Sequence, residues 1–453
     1  MGKIADILTE AGHKVDTLIP IINRNGHDGS VKAHAIYVEQ ETDMEEYVEL
    51  FMNEDVNLFS LSWDDFYGNH YVYSKMGEMF AKKCNQTLHH PGLINRLTKE
   101  KYDLLITETF DFCGVGIHHI IKAKALITVG TSAVFDKVVE YMGVPMSPTY
   151  NPAWTSSSLD VHSMVDRAIN LYRHWLWKNT FTALEISDQF FQQLYGPAFP
   201  QMTDLIAESA YYFVNTDPYT DFARPMLKKI VELGGIGVKD PQPLNEALSK
   251  FPDVTFIWKY EKPGDNFTTE EVSKVKNVFI DPWVPQSDLL NDSRLVAFIT
   301  HGGMGSTQET AARGVPGIFV PLFADQPRNA AMMAHTGMGI VFDKYDIGDS
   351  EKFEAAIRTI LDDKRYSEKA KKISRMLAKR PFSPRETLIK YAEFAAEFGA
   401  SENLRPQSID MSTFELYNLD LLLFLIIIVL TFAYLVFFLV SKIVVSKQKL
   451  KSQ

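Results

Sequence analysis

Apolar positions along the chain fall into two alternating patterns. Short unbroken apolar runs bounded by Gly, Pro, Asn or Asp alternate with stretches whose apolar residues recur every three or four positions. The first pattern reads as buried strands, the second as amphipathic helices. From the N-terminus the spacing predicts a helix over Ile4–Ala11, with Ile4, Ile7, Leu8 and Ala11 on one side, then strands over Lys14–Ile22 and Val31–Val38. A helix over Thr42–Asn53 and a long helical region over Tyr71–Asn95 follow. Asp103–Thr107 reads as a buried strand, Cys113–Ala123 as the helix after it, and Ala125–Thr128 as the next strand. Residues 150–205 are aromatic-rich and irregular, with Trp154, Trp175 and Trp177 among helical stretches; membrane-proximal or core packing is one reading of them. A second alternating region starts near Lys229, where Ile230–Val238 carries a Gly-Gly-Ile-Gly turn. Its strands are Val254–Trp258, Asn277–Ile280, Leu295–Ile299 and Gly317–Val320. Its helices are Gly305–Arg313, Gln326–His335, Glu351–Leu361, Ser367–Ala378 and Ser383–Phe398, the last with Pro384 in its first turn. Alternation of this kind predicts an α/β fold with mainly parallel sheets.

The C-terminus carries a different pattern. Leu421–Val440 is uncharged and rich in Leu, Ile, Val and Phe, long enough to cross about 30 Å of hydrocarbon. Lys442, Lys447, Lys449 and Lys451 follow with no acid among them, which places the tail in the cytosol. Lys449 and Lys451 resemble a dilysine retrieval signal of the endoplasmic reticulum. At the other end, Met1-Gly2-Lys3 opens directly into an amphipathic helix without a signal-peptide pattern.

Composition narrows the functional classes. A chain of 453 residues with 46% apolar content supports two domains with sizeable cores, and a net charge of −11 argues against nucleic acid as a partner. Cys84 and Cys113 either pair in an oxidising compartment or stay as buried thiols, and no metal-ligand spacing occurs. Sequons at Asn85, Asn266 and Asn291 are compatible with a lumenal body.

Chemistry concentrates between Asp281 and Gln326. His301 ends the apolar run Leu295–Ile299 and is followed by Gly302, Gly303 and Gly305, with a helix opening at Ser306 and Thr307. Glycines let a ligand approach the backbone, and the free amides of a helix N-terminus favour an anionic phosphate. Glu309, one turn on, can accept from sugar hydroxyls. Gly317–Val320 delivers Asp325 and Gln326 to the same edge, because ligands of open α/β sheets bind at the carboxyl ends of strands. Trp283 and Gln286 supply a flat face and an amide for a base. A dinucleotide fingerprint is the competitor, but Gln308 stands where its third glycine belongs.

This combined spacing of Trp, Gln, His, Glu and Asp-Gln resembles the signature of the UDP-glycosyltransferases, the family that includes the UDP-glucuronosyltransferases. The resemblance implies a GT-B fold, two Rossmann-like domains facing a cleft, with a C-terminal transmembrane helix. It assigns 1–225 to an acceptor-binding domain and 226–400 to a UDP-sugar-binding domain. Residues 401–418 are then the linker, 419–441 the span and 442–453 the tail. Residues 150–205 become a lid or an acceptor-lining insertion. Trp283 would stack on uracil and Gln286 bind its edge. His301, Gly303, Gly305 and Ser306 would hold the diphosphate, Glu309 the ribose, and Asp325 with Gln326 the transferred sugar. Gly305 departs from the Asn usual in vertebrate members.

The family's reaction inverts the sugar through a general-base His oriented by a carboxylate. The carboxylate position falls on Glu108, with Asp111 as the nearby alternative. The family's His and its strand precede a helix that begins much like Met1–Leu8, so that base is absent from the printed residues. His13 matches a structural loop position instead, and the His118-His119 pair lies one turn into a helix. A second gap falls between Asn245 and Phe251, where the resemblance implies a strand, loop and helix and only Glu246–Lys250 stands. The implied activity is transfer of glucuronic acid or glucose from a UDP-sugar to a small lipophilic acceptor, without metal or cofactor. Membrane lipid is an implied partner, and homo- or hetero-oligomers are compatible with it. The rival reading is an inactive membrane-anchored relative that binds nucleotide-sugar or a partner subunit. A nucleotide-sugar epimerase of the same fold is a third, which the span argues against.

Overall fold

The computed structural model describes residues 1–21, 30–39, 62, 65–156, 159–180, 182–238, 255–260, 264, 270, 277–347 and 349–451. The helix read over Thr42–Asn53, the Asn245–Phe251 junction and the Asn266 sequon lie outside them.

The N-terminal part runs α1 (Gly2–Glu10), β1 (Asp16–Ile21), β2 (His34–Glu39), α2 (Phe66–His89), α3 (Leu93–Glu100), β3 (Leu104–Glu108) and α4 (Cys113–Ile121). It continues with β4 (Ala125–Gly130), α5 (Asp136–Tyr141), α6 (Met164–Thr180), α7 (Ala183–Tyr195), α8 (Met202–Ala207), β5 (Tyr211–Val214) and β6 (Ile230–Glu232). Strands β3-β4-β5-β6 form one parallel sheet. Its central strand β4 is buried along its whole length, and side chains alternate between two cores as the strand period requires. Leu126, Tyr212 and Val214 face a core shared with α2, α4 and α7. Ile127, Val129, Tyr211 and Phe213 face one built by Ile4, Ile7 and Leu8 of α1 and by Leu388, Ala392 and Ala395 further on.

The strands β1 and β2 form a separate parallel pair. Tyr102, just before β3, donates to Asp16 Oδ2 at 2.6 Å, and Lys14 meets Glu100 at 2.8 Å. The entrances to β1 and β3 are therefore held together. Among the described residues, however, β1 pairs only with β2 and β3 only with β4. The residues of β1 and of β3 are half-buried along both strands.

The C-terminal part runs β7 (Phe256–Lys259), β8 (Val278–Asp281), α9 (Gln286–Asn291), β9 (Phe298–Thr300), α10 (Met304–Arg313), β10 (Gly317–Phe319), α11 (Gln326–His335) and β11 (Gly339–Val341). The helices α12 (Ser350–Asp362), α13 (Lys364–Ala378), α14 (Pro384–Phe398), α15 (Thr413–Leu416) and α16 (Leu419–Lys451) complete it. Strands β11-β10-β9 form a parallel sheet with α10, α11 and α13 on one face and α12 on the other, and β7 pairs in parallel with β8. Local chemistry sets the helix starts. Asp349 accepts from Glu351 and Lys352, and Ser383 with Glu386 forms a capping box ahead of Pro384.

Two elements of the stretch read as the second domain sit on the first sheet. The strand β6 bonds to β5, and α14 packs on β3, β4 and α1. An apolar run does not say which sheet it joins, and a terminal amphipathic helix covers whichever face lacks one. The long region read over Tyr71–Asn95 is two helices. Asp65 caps α2 at Gly68, and Pro91-Gly92 breaks the chain before α3. Beyond α14 the linker crosses the end of α5, where Ser408 Oγ donates to the Gly143 carbonyl at 2.6 Å. The final helix includes one candidate membrane span, Leu419–Lys442, with every residue from Leu421 to Val440 exposed.

Candidate active site

On the C-terminal side, β9 ends at Thr300 and the chain turns through His301–Gly303 into α10. Gly302 takes φ +80°, a conformation that disfavours side chains with a Cβ. A Cβ on Gly303 would lie 2.7 Å from His301 Nε2, so this glycine lets the imidazole fold against the loop. A Cβ on Gly305 would meet nothing within 4 Å, so the first turn of α10 is open on that side. First-turn amides of a helix have no intrahelical acceptor, which leaves those of Met304, Gly305 and Ser306 at the mouth of the sheet.

Around this turn the predicted polar residues form a web. Gln286 Nε2 donates to Ser306 Oγ at 3.2 Å and to Glu309 Oε2 at 2.7 Å, while Ser287 Oγ donates to Glu309 Oε1 at 2.7 Å. The carboxylate of Glu309 is thus held by two residues of α9. Trp283 is 71% exposed on a turn closed by its amide bonding Asp281, with Lys259 Nζ 5.1 Å from its ring centre.

The loop after β10 carries Ala324 at φ +57°, uncommon for a residue with a Cβ, immediately before Asp325. Asn329 donates to Asp325 Oδ2 at 2.7 Å and to the Gly302 carbonyl at 3.0 Å, tying both loops together. Burial raises the Asp325 carboxyl above the usual range, and hydrogen bonds from Ser132 and Asn329 pull it partly back. Burial also lowers the His301 imidazole, against the opposing field of Asp325. Gln326 is turned inward, its Oε1 accepting from the Leu322 and Phe323 amides at 2.8 and 3.2 Å.

On the N-terminal side, Glu108 ends β3 and accepts from Thr131 Oγ1 at 3.0 Å. Burial pushes its carboxyl up to about 6, with the Thr131 hydrogen bond acting against it. The Met1 amino group lies close enough to favour the ionised carboxylate, so the start of α1 points at Glu108. Asp111 is engaged otherwise. Its carboxylate pairs with Lys83 at 3.3 Å and accepts the Cys113 amide at 3.2 Å. Cys84 and Cys113 form a disulfide that ties α2 to the start of α4. His13 pairs with Glu393 of α14 at 3.1 Å, and His118 is half-buried in α4, desolvation holding its imidazole toward neutrality.

The two sides meet. Ser132 Oγ donates to Asp325, Gln308 Nε2 donates to the Asn215 carbonyl at 3.2 Å, and Arg328 pairs with Asp221 at 2.8 Å. Adjacent residues, Thr131 and Ser132, thereby touch Glu108 on one side and Asp325 on the other. Neither residue was among the sequence-predicted site residues, nor was Ser287. The signal was available, because Thr131-Ser132 follow the buried strand β4 as His301 follows β9.

Two parallel α/β units joined over a polar cleft recur in solved glycosyltransferases. The calicheamicin glycosyltransferase CalG4 superposes with a TM-score of 0.56 at 15% identity, covering 87% of this chain and 94% of that one. A UDP-glucosyltransferase from Polygonum tinctorium gives 0.57 at 13% identity, over 86% and 94%. The class is a GT-B glycosyltransferase fold. Residues 1–254 and 244–451 match the family described as UDP-glucoronosyl and UDP-glucosyl transferase, and the chain belongs to it. The putative UDP-glucuronosyltransferase ugt-48 of Caenorhabditis elegans is 27% identical, covering 93% of this chain and 88% of that protein. UDP-glucuronosyltransferase 2C1 of Oryctolagus cuniculus is 24% identical over 95% and 93%, and UDP-glucosyltransferase 2 of Dactylopius coccus 26% over 80% and 76%. Sugar transfer from a UDP-sugar to an acceptor is the activity this membership gives the chain.

Proposed function

We propose that the chain moves glucuronic acid or glucose from its UDP-sugar to a small lipophilic acceptor with inversion at the anomeric carbon. The observation that carries this reading is the bridge Glu108–Thr131-Ser132–Asp325, which sets an acceptor-side carboxylate beside a donor-side one. Trp283 stacks on the uracil and Gln286 reads its edge. His301, Gly303, Gly305, Ser306 and the α10 amides hold the diphosphate, and Glu309, pre-oriented by Gln286 and Ser287, takes the ribose. Asp325 accepts from the sugar hydroxyls while Gln326 fastens the loop that presents it.

Glu108, rather than the Lys83-paired Asp111, orients a base and carries its developing charge. The base that Glu108 orients would stand beside the start of α1, whose amino end lies near the Glu108 carboxylate. The domain division follows the sheets, with β6 and α14 belonging to the first. Leu419–Lys442 anchors the chain in the membrane of the endoplasmic reticulum, body lumenal and tail cytosolic, in keeping with the disulfide. Proton NMR of the product tests the chemistry. An axial donor linkage should become equatorial; retained configuration would reject the inverting mechanism.

A further inference from the structure

Arg328 is 1% exposed, yet it places a full charge in the first turn of α11, one turn beyond Asp325. Its guanidinium pairs with Asp221 at 2.8 Å and lies 5.6 Å from the centre of the Phe222 ring. Asp221 is itself held in place. Its Oδ1 accepts the Phe222 amide at 2.7 Å, and its own amide donates to the Asp217 carbonyl at 2.9 Å. The field of Arg328 reaches further into the N-terminal side. Burial raises the Asp136 carboxyl, but Arg224, His174 and then Arg328 outweigh that effect and hold it below the usual carboxylate range.

The first turn of α11 is thus fastened across the cleft at two points. Ser132, which bonds Asp325, follows β4, and Asp221 follows the neighbouring strand β5. Asn215 joins these two anchor loops, its Nδ2 donating to the Thr131 carbonyl at 3.0 Å. A single bond would leave α11 free to turn about it. Two bonds, to the ends of adjacent strands, fix the direction in which Asp325 faces. Apolar side chains of like size hold two surfaces together as well as a buried ion pair does, so cohesion alone gives no reason for charge here.

We infer that Asp221 and Arg328 are positioning residues: their pair sets Asp325 at the angle at which Ser132 and the transferred sugar share its carboxylate. This role rests on the proposed contact of Asp325 with the sugar hydroxyls, and a first titration separates the two. The detergent-solubilised full chain is titrated with UDP, UDP-glucose and UDP-glucuronic acid. UDP-sugar binding that survives Asp325→Ala unchanged would remove that contact, and the positioning role with it. With the contact intact, Asp221→Asn combined with Arg328→Gln should weaken the UDP-sugar about tenfold and leave UDP within about twofold. In the Ser132→Ala background the same pair should add less than about threefold, because both act through Asp325. Arg328→Lys keeps the charge without the planar fork and should fall between wild type and the neutral pair. It gives the same comparison if the neutral pair does not fold. UDP and UDP-sugar weakened alike, UDP-sugar binding unchanged, or losses that multiply with that of Ser132→Ala would overturn the assignment.

Discussion

The Ser132 hydroxyl donates to the Asp325 carboxylate, joining the loop after β4 to the start of α11 across the cleft. A hydrogen bond to a charged group contributes about 1.5–3 kcal/mol. Ser132→Ala should therefore raise the KM for the UDP-sugar about tenfold, with UDP itself binding as before. Isothermal titration with UDP beside steady-state kinetics with the sugar donor separates the two. Equal losses for UDP and UDP-sugar would place Ser132 at the nucleotide instead.

Glu108 sets a pH dependence. Burial pushes its carboxyl up to about 6, and only the ionised form can stabilise a protonated base. Any transfer activity should rise with pH through about 6 and then level off. Glu108→Gln should flatten that limb and lower kcat about 10²-fold, the lower end of what acid–base assistance contributes. An unchanged pH profile in the variant would assign the limb to another group.

Glu232 offers a stability test away from the chemistry. Burial raises its carboxyl to about 7, with Asp221 and Asp217 adding to the shift. The unfolded chain ionises this group near 4.5, so the folded state is penalised increasingly as pH rises from about 4.5 to 7 and constantly above. Glu232→Gln should raise the melting temperature at pH 8 by about 2–4 °C, corresponding to about 1 kcal/mol after screening, and change little at pH 4.5. Calorimetry at both pH values reads the difference.

The Cys84–Cys113 disulfide closes a separation of 29 residues and clamps the loop that follows Glu108. Chain entropy assigns such a closure about 3.6 kcal/mol. Cys84→Ser with Cys113→Ser should lower the melting temperature, as should dithiothreitol on the wild type. A variant melting with the wild type would show that the pair contributes nothing to stability.

Much of this architecture was legible in the sequence because its elements carry their own punctuation. The helix α11 matches its predicted bounds, Gln326 to His335, with Pro327 in its first turn and Thr336-Gly337 past its end. The strand β4 was readable as an unbroken apolar run, since both its faces are buried. Spacing brought Gln286, Ser306 and Glu309 to one sheet edge, because strand ends and helix starts deliver side chains there, but not the hydrogen bonds among them. What the sequence could not show was partnership between distant segments. Nothing local marks β6 as the neighbour of β5, Asp111 as the partner of Lys83, or Gln326 as turned inward. Cys84 and Cys113 could equally have stayed thiols until α2 and α4 were seen side by side.

Binding of uridine diphosphate at the α10 turn is the most direct test. Isothermal titration of the detergent-solubilised chain with UDP and with ADP measures it. UDP should bind and ADP bind at least tenfold more weakly, and Trp283→Ala should cost UDP about 1–3 kcal/mol, roughly 10–100-fold in Kd. Equal affinity for the two nucleotides, or UDP binding that survives Trp283→Ala unchanged, would contradict the assignment of Trp283, Gln286 and the α10 turn as the uridine diphosphate site.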